Sequence, residues 1–188
     1  MDSVSWYQQR PTLSLELFES LGAQPDQPVV DVGGGASVLV DALLDRGFSD
    51  LSVLDISASA LERSRSRLGP RADLVRWHRA DVLDWRPGRR YALWHDRAVF
   101  HFLAQSAERS RYVSTMQSAL LPGAHVVIGT FAPDGPEKCS GLTVRRYDAA
   151  GLSAELGDRF ELLEQRREEH HTPAGAVQVF SWVAMAFH

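Results

Sequence analysis

The segment Asp31-Val32-Gly33-Gly34-Gly35-Ala36-Ser37 holds the residue types that most directly suggest chemistry in this 188-residue chain. Three consecutive glycines let a ligand approach the backbone closely. A turn that opens into a helix also offers it unpaired N–H groups. An acidic residue accompanies each of the next two β-rich runs. Asp55 closes the run Leu51 to Asp55, and Asp81 follows the run Leu74 to Trp77 in Arg79-Ala80-Asp81-Val82. At such a strand end Asp55 can accept hydrogen bonds from both hydroxyls of a ribose, and Asp81 from an adenine amino group. Either alone reads as a turn or cap residue; together, after successive strands, they read as a nucleoside site. The third position of a Gly-x-Gly-x-x-Gly dinucleotide fingerprint is Val38, not glycine, which counts against NAD. Asp31 places a negative charge beside the turn, repelling a pyrophosphate and favouring a cationic ligand.

A second polar cluster is Trp94-His95-Asp96-Arg97, which runs on to His101. His95 is the best candidate for a general base because its ordinary pKa lies near neutrality; the plainer role is to orient a ligand or satisfy backbone groups. Asp96 and Arg97 can pair with each other or with ligands, and Asp96 can equally cap a helix. His95, Asp96 and Arg97 are the expected catalytic set, with His101 too far along the chain to place beside them. Farther on, Phe131, Asp134 and Cys139 lie in or next to a loop and are candidate substrate contacts. Nothing in the sequence lowers the pKa of Cys139. His170 and His171 are adjacent in a β-rich run, so they point to opposite faces and make a poor ligand pair. No metal is expected.

Short β-rich runs alternate with helical stretches, the pattern of a parallel sheet covered by helices. Leu13, Leu17, Phe18 and Leu21 form one helical stripe over 12–21. Strands are expected at Val29 to Val32, Leu51 to Asp55, Leu74 to Trp77, Tyr91 to His95 and Ala124 to Phe131. Helices are expected from about Ser37 to Arg46, from an N-cap at Ser57 through Leu68, from a cap at Ser106 to the break at Pro122-Gly123, and from Asp148 to near Gly157. Phe160 to Glu168 and Ala176 to Phe187 then read as a hairpin joined by Thr172-Pro173-Ala174-Gly175. The expected fold is α/β, a doubly wound sheet of about seven strands, mostly parallel with an antiparallel C-terminal hairpin strand. One domain is expected over 1–188, with an N-terminal helix or lid (1–21), a cofactor-binding core (28–131) and an acceptor-side segment (132–188). The ligand crevice belongs at the carboxyl ends of the first strands, where strand order reverses.

Composition narrows the classes. The net charge of −4 argues against a dedicated nucleic-acid binder. Nine arginines fall between residues 63 and 90, read as a solvated helix face and turns, or alternatively as a phosphate patch. One cysteine excludes an intrachain disulfide and a cysteine-rich zinc site, and fits a reducing cytoplasm. No apolar run approaches the roughly 20 residues that span a bilayer, and the first residues do not read as a signal peptide.

Val30-Asp31-Val32-Gly33-Gly34-Gly35-Ala36-Ser37 resembles the first motif of class I S-adenosylmethionine-dependent methyltransferases. Leu54-Asp55-Ile56-Ser57 is similar to their second motif, and Ala80-Asp81-Val82 to their adenine-side acid. Leu121-Pro122-Gly123-Ala124 is similar to their Leu-x-Pro-Gly-Gly turn, with Ala124 in place of the last glycine. The resemblance implies a Rossmann-like fold whose last strand inserts between the fifth and sixth, and S-adenosyl-L-methionine as cofactor. It places Asp31, Gly33 and Gly35 around the methionine part, Asp55 at the ribose, and Asp81 with Val82 at the adenine. Gly34, Ser37, Ile56 and His95 complete the expected cofactor set. Trp6 and Tyr7 join it as an N-terminal lid that can meet the sulfonium by cation–π contact. Asp96-Arg97 also resembles the end of the fourth strand in thiopurine-methyltransferase-like members, a match too short to carry a substrate. The function implied is in-line methyl transfer to a small-molecule acceptor, since no extra domain is present to grip a macromolecule. The competing readings are a protein-lysine methyltransferase, an NAD-dependent oxidoreductase, and a non-catalytic S-adenosylmethionine-binding module.

Overall fold

The computed structural model describes residues 8–173 and 175–188. The chain runs α1 (Thr12–Ser20), β1 (Val29–Val32), α2 (Leu39–Asp45), β2 (Leu51–Asp55), α3 (Ala58–Leu68), β3 (Val75–Arg79) and β4 (Tyr91–Arg97). It continues with α4 (Ser106–Ala119), β5 (Leu120–Phe131), β6 (Lys138–Cys139), β7 (Leu142–Thr143), α5 (Ala149–Leu156), β8 (Phe160–His171) and β9 (Val177–Phe187). Short 3₁₀ turns occupy Gly69–Leu74 and Phe100–Phe102.

Seven strands form one sheet in the order β3-β2-β1-β4-β5-β9-β8. The pairings from β3 through β5 are parallel, and β9 runs antiparallel to both β5 and β8. The last strand therefore inserts between the fifth and the hairpin partner, as the family resemblance implies. The chain moves outward from β1 to β3 and then restarts at β4 on the other side of β1. That reversal opens a crevice between the carboxyl ends of β1 and β4.

Period-2 alternation distributes the core to both faces of the sheet. Val30, Val32, Trp94, Val126 and Ile128 face α4 and α5 through Tyr112, Met116, Ala119, Leu152 and Leu156. Val29, Val53, Leu93, Val127 and Trp182 pack in a second core with Leu17 and Phe18 of α1, Leu43 of α2 and Leu61 of α3. Ser57 caps α3 by accepting the Ala60 N–H, and Asp148 caps α5 by accepting that of Gly151. Of the arginine run, Arg67 pairs with Asp41, Arg71 with Asp45, and both Arg76 and Arg89 with Asp50. Those four serve as ion-pairing surface residues.

Several expected boundaries shift for local reasons. The third strand begins at Val75 because the chain leaving Gly69-Pro70 forms a 3₁₀ turn instead of stopping. Ser106 does not cap α4; it is the first helical residue, because the Glu108 carboxylate reaches back to the Gln105 N–H. α4 ends at Ala119, ahead of the expected break, and Pro122-Gly123 lies inside β5. Tyr91 pairs with Leu120 and Leu93 with His125, so the intervening residues of β5 bulge from the ladder. The loop after β5 contains a two-stranded hairpin, β6 and β7, turning at Ser140 and Gly141 with positive φ at both. Its signal was the Ser-Gly pair between two short runs.

Gly129 of β5 pairs with Trp182 of β9. A Cβ there would lie 2.7–2.8 Å from three indole atoms. Gly129→Ala is therefore expected to destabilise the fold by roughly 1–3 kcal/mol through overpacking. Urea denaturation checks it, and an unchanged midpoint would show that the indole yields without strain.

Candidate functional site

A cavity of about 640 Å³ opens at the reversal in strand order. The glycine turn, the ends of β2 and β4, the residues after β3, helix α1 and the β6–β7 hairpin all contribute to its lining. Its volume lies within the roughly 300–1,000 Å³ range of small-molecule sites.

The turn has the shape it does because three carbons are missing. Gly33 has φ +71°, and a Cβ on it would lie 2.2 Å from a Val99 methyl. A Cβ on Gly34 would lie 2.2 Å from Asp31 Oδ2, and one on Gly35 2.6 Å from Asp55 Oδ2. Backbone thus lies directly against two carboxylates. Asp55 Oδ2 accepts the Gly35 N–H at 3.0 Å and Oδ1 accepts that of Ser57 at 2.7 Å. Burial raises the Asp55 pKa above its ordinary value, and these two bonds oppose the rise. Asp81 Oδ1 accepts the Leu83 N–H at 2.9 Å, forming a local turn that presents Val82 to the cavity. Ser37 Oγ accepts the Leu39 N–H at 3.0 Å, satisfying one free donor at the start of α2. Ile56, on the rim, is 66 % exposed, leaving a large apolar side chain open to a ligand.

Asp31 is buried at the end of β1 opposite His95 of β4. Its Oδ1 lies 2.7 Å from His95 Nδ1, and Ser14 Oγ of α1 lies 2.9 Å from His95 Nε2. Phe18 and Trp182 pack against the imidazole at centroid distances of 5.8 and 5.9 Å. Asp31 Oδ2 is buried without a hydrogen-bond partner among the described residues. Ser14 lines the cavity and is absent from the set expected from sequence. The signal for it was a polar residue three and four positions before Leu17 and Phe18, on their helix face.

The expected catalytic residues separate. His95 and Arg97 line the cavity, and Asp96 does not. Asp96 is fully buried on the other face of β4, where its carboxylate accepts from Tyr112 Oη–H at 2.5 Å and from the Val99 and Phe100 N–H groups at 2.8 and 3.1 Å. Trp94 Nε1–H in turn donates to Tyr112 Oη at 2.9 Å. This network holds the turn in which Ala98 adopts φ +71°. Arg97 stacks on Phe180 at 4.7 Å, and burial lowers its pKa.

His101 is buried against Phe102 and Phe131, away from the cavity, and is pushed down to about 3 chiefly by desolvation. It shares no site with His95. Of the candidate substrate contacts, only Cys139 reaches the cavity, and burial pushes its thiol pKa up. Phe131 is not brought there; it is fully buried against Phe180 because its side of β5 faces the second core. Asp134 is not brought there either. It forms an exposed ion pair with Arg167 of β8. His170 is buried and His171 exposed, as expected for neighbours on a strand. No group of three metal-ligating side chains occurs among the described residues. No helix among them is long and apolar enough to cross a membrane. Trp6 and Tyr7 lie outside the described residues.

A family model described as a methyltransferase domain matches residues 29–123, which takes in the glycine turn, Asp55, Asp81 and His95. The chain belongs to this family. Comparison with curated proteins returns no significant match. Among solved structures, this methyltransferase-family chain is similar to the N-methyltransferase NodS from Bradyrhizobium japonicum, at 18 % identity and TM-score 0.76 over 94 % of this chain and 93 % of that one. It is also similar to the 1,6-didemethyltoxoflavin-N1-methyltransferase of Burkholderia thailandensis, at 18 % identity and TM-score 0.74 over 94 % and 77 % of the two chains. A third is the glycopeptide N-methyltransferase MtfA complexed with S-adenosylhomocysteine, at 16 % identity and TM-score 0.73 over 97 % and 92 %. These likenesses show the same fold.

The Asp96 network carries a pH signature. Burial raises this carboxyl from 3.8 to about 6 against the bonds from Tyr112 and the backbone. A raised folded pKa means that its stabilising contribution is complete below about pH 4 and is lost as pH rises through 6. The difference amounts to roughly 3 kcal/mol. The stability of wild type relative to Asp96→Asn should fall by that order between pH 4 and 7 in parallel denaturation series. A flat difference would show that the hydrogen bonds outweigh desolvation.

Proposed function

We propose that this protein transfers a methyl group from S-adenosylmethionine to a small-molecule acceptor. The observation that carries the reading is the placement of Asp31, Asp55 and Asp81 at the ends of, or just after, three adjacent strands, all lining one cavity with the glycine turn. The buried Asp31 Oδ2, without a partner among the described residues, fits a ligand carrying an ammonium group beside a nucleoside. Val38 lines the cavity at the start of α2, where a dinucleotide fingerprint needs its third glycine.

When bound, the cofactor supplies an electrophilic methyl on a sulfonium. Asp31 holds the methionine ammonium. Each Asp55 oxygen already accepts one backbone N–H and keeps a second lone pair for a ribose hydroxyl. Asp81 accepts the adenine amino group, while Ile56 and Val82 supply apolar surface for the ring. His95 and Arg97 form the polar wall beside the reacting centre, and Cys139 with Ser140 lines the cavity from the hairpin. The chain's task is to align the acceptor in line and to exclude water. The small-molecule class is supported by the modest cavity and by the similar Burkholderia thailandensis enzyme, whose structure holds 1,6-didemethyltoxoflavin.

Calorimetric titration with S-adenosylmethionine, S-adenosylhomocysteine and NAD tests the cofactor. The first two should bind and NAD should not; binding of NAD alone would sink the proposal. Asp55→Ala should weaken both sulfur ligands by about tenfold or more, the scale of one lost hydrogen-bonding carboxylate. A labelled-methyl screen across metabolites and extract proteins then reads the acceptor class, and label appearing only in protein would overturn the small-molecule assignment.

A further inference from the structure

Ser14, His95 and Asp31 form an unbroken hydrogen-bonded line through the cavity wall, from helix α1 across β4 to β1. Donor and acceptor roles along it follow from chemistry. A carboxylate only accepts, so His95 Nδ1 carries the proton directed at Asp31 Oδ1. In the neutral ring Nε2 is then the acceptor, and the Ser14 hydroxyl donates to it. Phe18 and Trp182 pack against the ring, so it has little freedom to turn. The end of the line is Asp31 Oδ2, buried, without a partner among the described residues and set against Gly34.

We propose that Ser14 is a positioning residue for the amino-acid end of the cofactor. It fixes the orientation of His95, whose tautomer Asp31 sets, and His95 holds Asp31 with its second oxygen directed at the glycine turn. The proposal rests on the S-adenosylmethionine reading above and adds a determinant from α1, outside the segment matched by the family model. It also gives His95 a role other than meeting the acceptor directly, since both ring nitrogens are engaged within the wall. Without the hydroxyl, Nε2 is a buried acceptor with no donor among the described residues. The ring can recover a partner only by tilting, and that movement releases Asp31.

The test compares two probes that differ at the relevant end. S-adenosylhomocysteine carries the ammonium, and adenosine shares the nucleoside but lacks the amino-acid end. Ser14→Ala should weaken S-adenosylhomocysteine by about tenfold while leaving adenosine within about twofold. Ser14→Thr keeps the hydroxyl and should restore most of the loss. Equal weakening of both probes would mark a merely structural role and overturn the proposal, as would unchanged binding of S-adenosylhomocysteine. Imidazole ¹⁵N spectra of the ligand-free protein give a second readout. Wild-type His95 should show the Nδ1–H tautomer, and Ser14→Ala should shift its Nε2 resonance. A wild-type Nε2–H tautomer overturns the proposal even if the alanine variant does not fold. Wild-type protein that binds adenosine but not S-adenosylhomocysteine removes the cofactor reading, and the Ser14 role falls with it.

Discussion

A carboxylate taken out of water must be answered by donors, and the cavity end of this fold is arranged around one such group. Asp31 lies at the end of β1, where the strand order reverses, and one of its oxygens is answered by His95 across the β1–β4 ladder. The other is set against the Cα of Gly34. The glycine turn cannot carry side chains without displacing the carboxylate, and the carboxylate cannot move without breaking the pair with His95. The neighbouring Asp55 repeats the arrangement one strand over, with Gly35 as the residue that must stay bare.

The second buried carboxylate on β4 shows how position decides role. His95 and Asp96 are consecutive, so the pleat sends them to opposite faces of the sheet. His95 turns toward the cavity wall and α1. Asp96 turns toward α4, where Tyr112 and two backbone N–H groups complete its coordination. One neighbour therefore braces the ligand-facing wall, while the other braces the turn that carries Val99 and Ala98 into the cavity. The polar density that marks this segment in the sequence serves two separate networks.

The hairpin β6–β7 and helix α1 approach the cavity from outside the parallel core. They bring in the adjacent pair Cys139 and Ser140 and, from far away in the chain, Ser14. The core built by β1 to β5 supplies the groups that suit a nucleoside. The peripheral elements close the cavity from outside the core, and they are the parts with the least motif-like sequence.

The sequence by itself determined the sheet, the glycine turn and the strand-end acids, because each depends on local physics: period-2 alternation, glycine's missing Cβ, and a side chain's place at the end of a run. It was silent where the answer depended on which face of an element met which neighbour. Phe131 ends the correct strand and Asp134 follows it, yet one faces the second core and the other reaches Arg167 on β8. Asp96 belongs to the right cluster and turns away from the site. Ser14 interrupts an apolar stripe, and only the docking of α1 brings its hydroxyl to His95. The line from Ser14 to Asp31 joins residues separated by 81 and 64 positions. Such a line exists only once the tertiary fold has buried all three side chains in one wall, where each polar atom must find its partner among the others.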